Sequence, residues 1–400
     1  MPLKEKSLLQ RIRRVAARRR PGIGLGIGDD CAVLRLPPGH EALVTTDFSL
    51  EGVHFRRDWH PADSIGHRCL TRGLSDIAAM GGVPQAAFLS LALPADLPQK
   101  WVDQFITGLL KLADRYSVLL AGGDTAQSPQ GIMADIVVLG SVPAGQAILR
   151  SGAKPGDVIY VTGNLGSSHE ALTRLRNGEK LQPKSHHKHF YPEPRIAIGQ
   201  FLREKKLASA MIDISDGLST DLAHICEESK VGAVLYTDAL ATVVGHDAKE
   251  PVASNGPRTR LVSGKNDQSS RAAAEAQLAR GVNPGKASRR DCEPRSGDTR
   301  ELPATPSKAT ARLVSGHDFS RAETGSKETR ALAPAALESA LHGGDEYELV
   351  FTAPPDRRIP AHIAGIPMTR IGEIVRGKNM KLVTNGKSKT LKPAGWEHFR

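Results

Sequence analysis

The sequence predicts a mixed α/β protein built from two globular domains. Short apolar strands alternate with amphipathic helices along most of the chain, which is the pattern of layered α/β folds. Of the 400 residues, 40% are apolar and 24% are charged, and this length exceeds one average domain. No apolar run approaches the roughly 18 residues of a membrane span. We therefore expect neither a membrane protein nor a disordered chain.

The first domain is expected to cover residues 1–143. A short amphipathic helix opens it, because apolar residues recur there at helical spacing: Leu8, Leu9, Ile12, Val15 and Ala16. Strands are predicted in the segments EALVTTDF, AFLSLAL and IMADIVVLGSV. Between the first two strands, Asp63 or Ser64 is predicted to cap a helix that ends near Gly81. A second helix carries its apolar residues from Trp101 to Tyr116.

The second domain is expected to cover residues 144–400. Its strands are predicted in SGAKPGDVIYVTG, in ASAMIDISDGL, where the strand leads into a helix, and in YELVFTA. The histidine-rich segment SHHKHF has no carboxylate at metal-ligand spacing, and we expect it to be a solvated loop.

The composition changes over residues 245–333, which we interpret as a disordered insertion in the second domain. Ser, Gly, Arg, Ala and Pro dominate this segment, and Phe319 is its one aromatic residue. It holds 16 Lys and Arg against 11 Asp and Glu, a net charge of +5 out of the +11 of the whole chain. Such a composition buries too little apolar surface to offset its ordering entropy. Much of the positive charge therefore belongs to the insertion and not to an active site.

The most informative residues are aspartates at predicted strand ends and glycine turns. They are Asp29, Asp30, Asp47, Asp76, Asp124, Asp213 and Asp216. One Asp beside a Gly is usually a turn residue, but Asp47 and Asp213 lie in or at the end of apolar strands, where Asp is disfavoured. Buried carboxylates must be paired or bound to metal. Oxygen ligands without His or Cys favour Mg²⁺, which commonly joins carboxylates to substrate phosphates.

Familiar nucleotide and metal motifs are absent from the sequence. GIGLGIGDD fits no G-x-G-x-x-G frame, and neither a Walker P-loop nor the HRD and DFG motifs of protein kinases occur. The four cysteines are far apart and form no CxxC pair, which favours a reducing cytoplasm over a zinc site or a disulfide framework. Aromatic residues make up 4% of the chain, too few to favour a base-stacking surface.

Taken in order along the chain, eight motifs resemble those of the thiamine-monophosphate kinase family. They are GIGDDCAVL, VTTDFSLEGVHF, GLSDIAAMGGVP, LAGGDT, RSGAKPGDVIYVTGNLG, YPEPR, MIDISDGL and HGGDEYEL. The resemblance covers nearly everything outside the insertion. EGVHF and the C-terminal GWEHF favour this family over the related aminoimidazole ribonucleotide synthetase, selenophosphate synthetase and hydrogenase-maturation proteins.

The resemblance implies a two-domain ATP-binding fold like that of aminoimidazole ribonucleotide synthetase, dimerised through a β-barrel shared by the N-terminal domains. By the family's pattern, the ligands of several Mg²⁺ ions are expected at Asp30, Thr45, Thr46, Asp47, Asp76, Asp124, Asp213 and Asp216. Contacts to ATP are expected from Gly123, Asp124, Arg150 and Ser215. Contacts to thiamine monophosphate are expected from His54, Asp345 and Trp396. The chain departs from the family at Asp345-Glu346, where Glu often comes first, and at Arg72-Gly73, where an apolar residue and Asn are common.

The activity implied by the resemblance is ATP-dependent phosphorylation of thiamine monophosphate to thiamine diphosphate, the last step in making that cofactor. An alternative is another ATP-using member of the superfamily, one that activates an amide or a selenide. A basic nucleic-acid-binding protein is a further alternative, but nearly half of the excess charge lies in the insertion and no nucleic-acid-binding module is recognisable. We expect a cytoplasmic homodimer that binds neither a membrane nor a specific nucleic acid.

Overall fold

The computed structural model describes residues 5–16, 20, 22–27, 30–244 and 333–397. Asp29 and the predicted insertion, apart from Ala333, lie outside these residues. The described chain opens with helix α1 (Glu5–Ala16), as the helical spacing predicted, followed by the short antiparallel strands β1 (Ile23–Leu25) and β2 (Val33–Leu34).

Four strands of the N-terminal half form one sheet in the order β3-β6-β4-β5. Their bounds are β3 (His40–Leu50), β4 (Val83–Pro94), β5 (Leu119–Ser128) and β6 (Met133–Pro143). Strands β4 and β5 run parallel, whereas the other neighbours are antiparallel. The three predicted strands are confirmed as β3, β4 and β6. Strand β5 was not predicted, because its AGGDT sequence suggested a turn. Asp124 therefore lies inside a strand, opposite Ser90 of β4.

Gly123 shows why β5 carries a glycine where it pairs with β4. Its φ is 148°, and a Cβ built on it would lie 1.9 Å from the backbone oxygen of Leu89 on β4. Any side chain at this position would therefore push β5 away from β4.

Two helices, α2 (Ala62–Ala79) and α3 (Gln99–Arg115), pack on each other, and α2 also packs on β3 and β6. Both helices were predicted. The predicted cap of α2 is wrong, because Pro61 precedes the first turn and no side chain caps it. The Ser64 hydroxyl instead donates to the Pro61 carbonyl at 2.8 Å, and Asp63 accepts a hydrogen bond from the Tyr191 hydroxyl at 2.9 Å. The glycines after Ala79 let the chain turn towards β4, as predicted.

The C-terminal half contains an eight-stranded sheet in which seven strands follow the order β14-β13-β9-β12-β7-β10-β8 and β11 pairs with β12. The strands are β7 (Val158–Thr162), β8 (Ala210–Asp213), β9 (Gly232–Tyr236), β10 (Leu349–Ala353), β11 (His362–Ile363), β12 (Ile366–Val375), β13 (Met380–Thr384) and β14 (Lys387–Leu391). The helices are α4 (Ser167–Arg176), α5 (His187–Phe190), α6 (Ile196–Glu204), α7 (Leu218–Ser229), α8 (Thr237–Ala241) and α9 (Pro334–His342). The predicted strands β7, β8 and β10 are confirmed.

The larger buried core is continuous from the α2–α3 layer to the face of β10. It includes Leu70 and Phe105 from the helices and Phe351 from β10. Burial raises the pKa of the Cys69 thiol on α2 to about 12, so this cysteine is a core residue and not a nucleophile. Within the part of the chain that the structure describes, every helix is too short or too polar to cross a membrane.

Candidate active site

Three predicted metal ligands from different elements lie close enough to influence one another's ionisation. Asp47 lies in β3, Asp76 near the end of α2, and Asp213 at the end of β8. Burial, with the charge of Asp76, raises the pKa of Asp47 to about 7. Burial also raises the pKa values of Asp76 and Asp213, and at Asp213 the neighbouring aspartates add to the effect. We call these three residues the acidic cluster.

The alternation of side chains along β3 separates its two threonines. The Thr45 hydroxyl donates to the Asp76 carboxylate, so Thr45 joins the acidic cluster as predicted. The Thr46 hydroxyl lies on the opposite face of the sheet, where it donates to Asp135 Oδ1 of β6 at 2.7 Å. The structure does not bring the Thr46 side chain to the acidic cluster.

The remaining predicted metal ligands lie around this centre. Asp30 is exposed before β2, and Asp124 is exposed in β5, where it accepts the Thr125 backbone N–H at 2.8 Å. Asp216 is half-buried in the loop after β8. Among the described residues, no three His, Cys, Asp or Glu side chains are arranged to enclose a metal ion.

The acidic cluster nevertheless has the chemistry of a Mg²⁺ site. Its donors are carboxylate oxygens and one hydroxyl, the hard ligands that Mg²⁺ prefers. Burial raises the pKa values of Asp47, Asp76 and Asp213, and repulsion by neighbouring aspartates adds to the effect at Asp47 and Asp213, so a divalent cation would stabilise the charged forms. The residues present therefore fit this ion.

Asp221, which the sequence did not single out, organises the loop between β8 and α7. Its Oδ2 accepts the backbone N–H groups of Ser215, Asp216 and Gly217 at 3.1, 3.2 and 3.0 Å. Burial raises the pKa of Asp221 to about 7, although these three hydrogen bonds oppose the shift. The spacing of Asp221, four residues after Gly217 at the start of a helix, was the signal available in the sequence.

Two more of the predicted nucleotide contacts lie near the acidic cluster. Arg150 is exposed, and its positive charge lowers the pKa of Asp76. Arg150 therefore lies within electrostatic range of the acidic cluster. Ser215 follows Asp213 by two residues and is held by Asp221. Gly123 and Asp124 belong to β5, in the same sheet as Asp47.

A cavity of about 150 Å³ opens between the chain after β3, α2, α4 and the loop before β10. Its lining includes His54, Arg56, Trp59, Arg68, Arg176 and Asp345. Three arginines against one carboxylate give the lining an excess of positive charge, and we call this space the cationic cavity. It brings together His54 and Asp345, two of the three predicted substrate contacts.

Asp345 is held firmly in the wall of the cationic cavity. Its Oδ2 accepts from Arg68 Nη2 at 2.8 Å, and its Oδ1 accepts from Arg72 Nη2 at 3.1 Å and from the Tyr347 hydroxyl at 2.6 Å. Although burial opposes ionisation, the two guanidinium groups hold the pKa of Asp345 below its usual range. Asp345 has a positive φ of 58°, a conformation that non-glycine residues rarely adopt. The predicted substrate contact is thus also a structural anchor.

The expectation that SHHKHF is a solvated loop is wrong for its second half. Lys188 is buried and forms ion pairs at 3.0 Å with both Glu346 and Glu348. His189 is buried beside His60, with the two Nε2 atoms 3.1 Å apart. A local pattern of polar residues could not reveal this burial, because the partners are more than 100 residues away.

Trp396, the third predicted substrate contact, lies elsewhere. Its backbone N–H donates to the carbonyl of Asp216 at 2.9 Å, and it does not line the cationic cavity. The residue is 44% exposed, so it is not a core residue.

Comparisons with known proteins agree with this architecture. Residues 28–142 match the family model described as AIR synthase related protein, N-terminal domain, and residues 154–277 match the corresponding C-terminal domain. Thiamine-monophosphate kinase of Salmonella typhimurium is 32% identical, over 99% of this chain and 98% of its own length.

Two solved structures share the fold. The crystal structure of thiamine-monophosphate kinase from Stenotrophomonas maltophilia K279a superposes with a TM-score of 0.66 at 29% identity, covering 97% of this chain and 99% of its own. AaThiL complexed with AMPPCP and TMP superposes with a TM-score of 0.60 at 24% identity, covering 99% and 97%. Because the relationship to the Salmonella enzyme extends over nearly the full length of both proteins, the chain belongs to the thiamine-monophosphate kinase family.

Proposed function

We propose that this protein transfers the γ-phosphoryl group of ATP directly, and in line, to thiamine monophosphate, giving thiamine diphosphate and ADP. The observation that carries the proposal is that helix α2 contributes Asp76 to the acidic cluster and Arg68, about two turns away, to the lining of the cationic cavity. One site suits a nucleotide phosphate chain with its metal, and the other suits an anionic acceptor. Membership of the thiamine-monophosphate kinase family supplies the identity of that acceptor.

The acidic cluster and its neighbours would hold the metal ions. In this proposal Asp47, Asp76 and Asp213 are the central ligands, with Asp30, Thr45, Asp124 and Asp216 around them, whereas the Thr46 side chain on the opposite face of β3 takes no part. Bound Mg²⁺ would neutralise the charge that develops on the transferred phosphoryl group. Asp30 and Asp124, whose side chains are exposed, are the outer ligands in this proposal.

The nucleotide would lie across β5 and the loop after β8. Gly123 and Asp124 contribute from β5, Ser215 from the loop, and Arg150 offers a guanidinium fork to phosphate oxygens. Asp221 keeps the loop in place through its three backbone hydrogen bonds.

The acceptor would occupy the cationic cavity, with its phosphate towards the acidic cluster. His54 and Asp345 line this space, and Trp396, which lies outside it beside Asp216, would bring a flat aromatic face to the part of the thiazolium that extends beyond the cavity. The acceptor phosphate is already ionised, so the reaction needs no strong general base. Catalysis then depends on positioning and on charge stabilisation.

Dimerisation is part of the proposal because the outer face of β3 and β6 exposes apolar side chains. Val44 is 64%, Phe48 55% and Met133 42% exposed, and all three lie on the face opposite the acidic cluster. A second copy would cover this face in a barrel shared by the domains of residues 1–143, with residues 144–400 as the second domain. We also propose a cytoplasmic location, where thiols such as Cys31 stay reduced.

A coupled assay of ADP formation tests the proposed function. With Mg²⁺ and ATP, we expect ADP to form only when thiamine monophosphate is added, and Asp124→Asn to reduce this rate about 100-fold. ADP formation that is independent of thiamine monophosphate would contradict the proposal. A rate in Asp124→Asn equal to that of the unchanged protein at limiting Mg²⁺ would contradict the metal assignment.

A further inference from the structure

Arg72 lies between the acidic cluster and the cationic cavity, and the roles assigned so far do not include it. It precedes Asp76 by four residues on α2, so the two side chains lie on the same face of the helix. The Arg72 side chain is 13% exposed, and its Nη2 is 3.1 Å from Oδ1 of Asp345.

Asp345 has other partners besides Arg72. Arg68, one turn earlier on α2, already pairs with Asp345 Oδ2 at 2.8 Å, and the Tyr347 hydroxyl donates to Oδ1. Two guanidinium groups therefore face one carboxylate, which leaves a surplus positive charge at this junction.

The positive charge of Arg72 also acts on the acidic cluster. The guanidinium of Arg72 lowers the pKa values of Asp47 and Asp76 against the stronger effect of their burial. Arg72 is thus within electrostatic range of the predicted nucleotide-metal site and in direct contact with a residue that lines the cationic cavity.

We propose that Arg72 is a further catalytic residue, whose guanidinium donates hydrogen bonds to the phosphoryl group as it passes from ATP to the acceptor phosphate. This inference rests on the proposed function. In the step, the bond from the γ-phosphorus to the ADP oxygen breaks, and ADP leaves with the electron pair. A bond forms from the γ-phosphorus to an ionised oxygen of the acceptor, and no proton is transferred.

The chemistry of the step explains why an arginine suits this place. Two anionic phosphates must approach each other, and negative charge spreads over the oxygens of the transferred group. A guanidinium has five N–H donors, of which one on Nη2 is used by Asp345, and it remains charged when buried. The salt bridge to Asp345 fixes its orientation before the substrates bind.

The backbone beside Arg72 is also fixed. A Cβ built on Gly73 would lie 2.5 Å from Cγ2 of Val138 on β6, so glycine allows α2 to pack closely on the sheet. Gly73 and Arg72 therefore act together: the glycine allows α2 to lie close to the sheet, and from that position Arg72 contacts Asp345.

The test compares Arg72→Met and Arg72→Lys with the unchanged protein and with Arg115→Met. Arg115 is a matched control because it is an ion-paired arginine on α3, away from the cationic cavity and the acidic cluster. We expect Arg72→Met to lower kcat about 100-fold and Arg72→Lys to recover part of the loss, with the KM for ATP changed less than about threefold. Arg115→Met should keep kcat.

A second background separates this role from simple pairing with Asp345. If Arg72 serves only to neutralise Asp345, Arg72→Met should cause no further loss of kcat in the Asp345→Asn background. We expect Arg72→Met still to lower kcat by more than about tenfold relative to Asp345→Asn alone, and its melting temperature to remain within a few degrees of the unchanged protein. A double variant as fast as Asp345→Asn alone, or a kcat of Arg72→Met within threefold of the unchanged protein, would overturn the inference. Failure of the unchanged protein to phosphorylate thiamine monophosphate would instead refute the proposed function.

Discussion

Asp47 shows how the requirements of the site oppose those of the fold. Its carboxylate is held in a strand, partly buried and beside Asp76, and its raised pKa measures the cost of keeping it charged there. Evolution tolerates such a cost where function requires it, and a substitution that removes the cost commonly stabilises the protein.

We therefore expect Asp47→Asn to be more stable and less active than the unchanged protein. Without metal, the substitution removes the repulsion with Asp76 and should raise the melting temperature by a few degrees. It should also lower kcat by about 100-fold or more, because a predicted metal ligand is lost. Thermal unfolding in a chelator and steady-state kinetics in Mg²⁺ measure the two effects. A lower melting temperature than that of the unchanged protein would contradict this expectation, because it would show that the charge of Asp47 is already compensated. The control is Asp103→Asn, which removes a carboxylate from the exposed face of α3.

At the scale of elements, the sequence predicts what local patterns encode. Alternation and helical spacing were enough for β3, β4, β6, α2 and α3. They were not enough for β5, because AGGDT suits a turn and pairs as a strand only through contact with β4. The burial of Lys188 and His189 was missed for a similar reason, since their partners are distant in the sequence. At the start of α2, Asp63 does not act as the cap and instead accepts a hydrogen bond from the distant Tyr191 hydroxyl.

The same distinction applies to the candidate site. Seven aspartates could be selected because Asp is unexpected in apolar strands and recurs beside glycines. The meeting of Asp47, Asp76 and Asp213 depends on how α2 lies against β3 and β8, which no local pattern encodes. Asp221 and Arg72 were missed as site residues because an Asp and an Arg on a helix are usually solvated.

The buried ion network that joins α5 to β10 gives a prediction at this scale. Glu348 is fully buried, and its carboxylate accepts from Arg195 Nε at 2.7 Å, pairs with Lys188 at 3.0 Å and accepts from the Thr162 hydroxyl at 2.5 Å. Glu348→Ala should lower the free energy of unfolding by about 3–5 kcal/mol, because it removes the buried carboxylate that Arg195 and Lys188 share. Chemical denaturation measures this loss. The control is Glu179→Ala, which breaks the exposed ion pair between Glu179 and Arg174. If Glu348→Ala lowered the free energy of unfolding as little as Glu179→Ala does, the buried network would be shown to be solvated.

On the scale of the whole molecule, the exposed apolar face of β3 and β6 predicts the oligomeric state. Phe48→Asp places a charge at the centre of this face and should prevent a second copy from covering it. By light scattering coupled to gel filtration, we expect the unchanged protein at twice the 42.9 kDa chain mass and Phe48→Asp at that mass. A monomeric unchanged protein, or a dimeric Phe48→Asp variant, would refute the predicted interface.

The segment between the two described parts of the second domain is expected to be dispensable. Helices α8 and α9, which flank residues 245–332, pack against each other, so a short Gly/Ser linker can join them. Closing a long loop costs only roughly 0.6 kcal/mol for each doubling of its length, so we expect its removal to change the melting temperature little. Kinase activity should also be retained, and the isoelectric point should fall because the net +5 of the segment is removed. Loss of folded protein after this replacement would show that the segment packs on the rest of the chain.

The measurement that tests the central claim most directly is the identity of the phosphorus-containing products. Phosphorus NMR of a reaction with equal amounts of ATP and thiamine monophosphate in Mg²⁺ distinguishes every relevant outcome. We expect ADP and thiamine diphosphate to appear in equal amounts, without AMP and without inorganic phosphate. ADP and inorganic phosphate without thiamine diphosphate, or AMP with a second phosphorylated product, would contradict direct transfer from ATP to thiamine monophosphate.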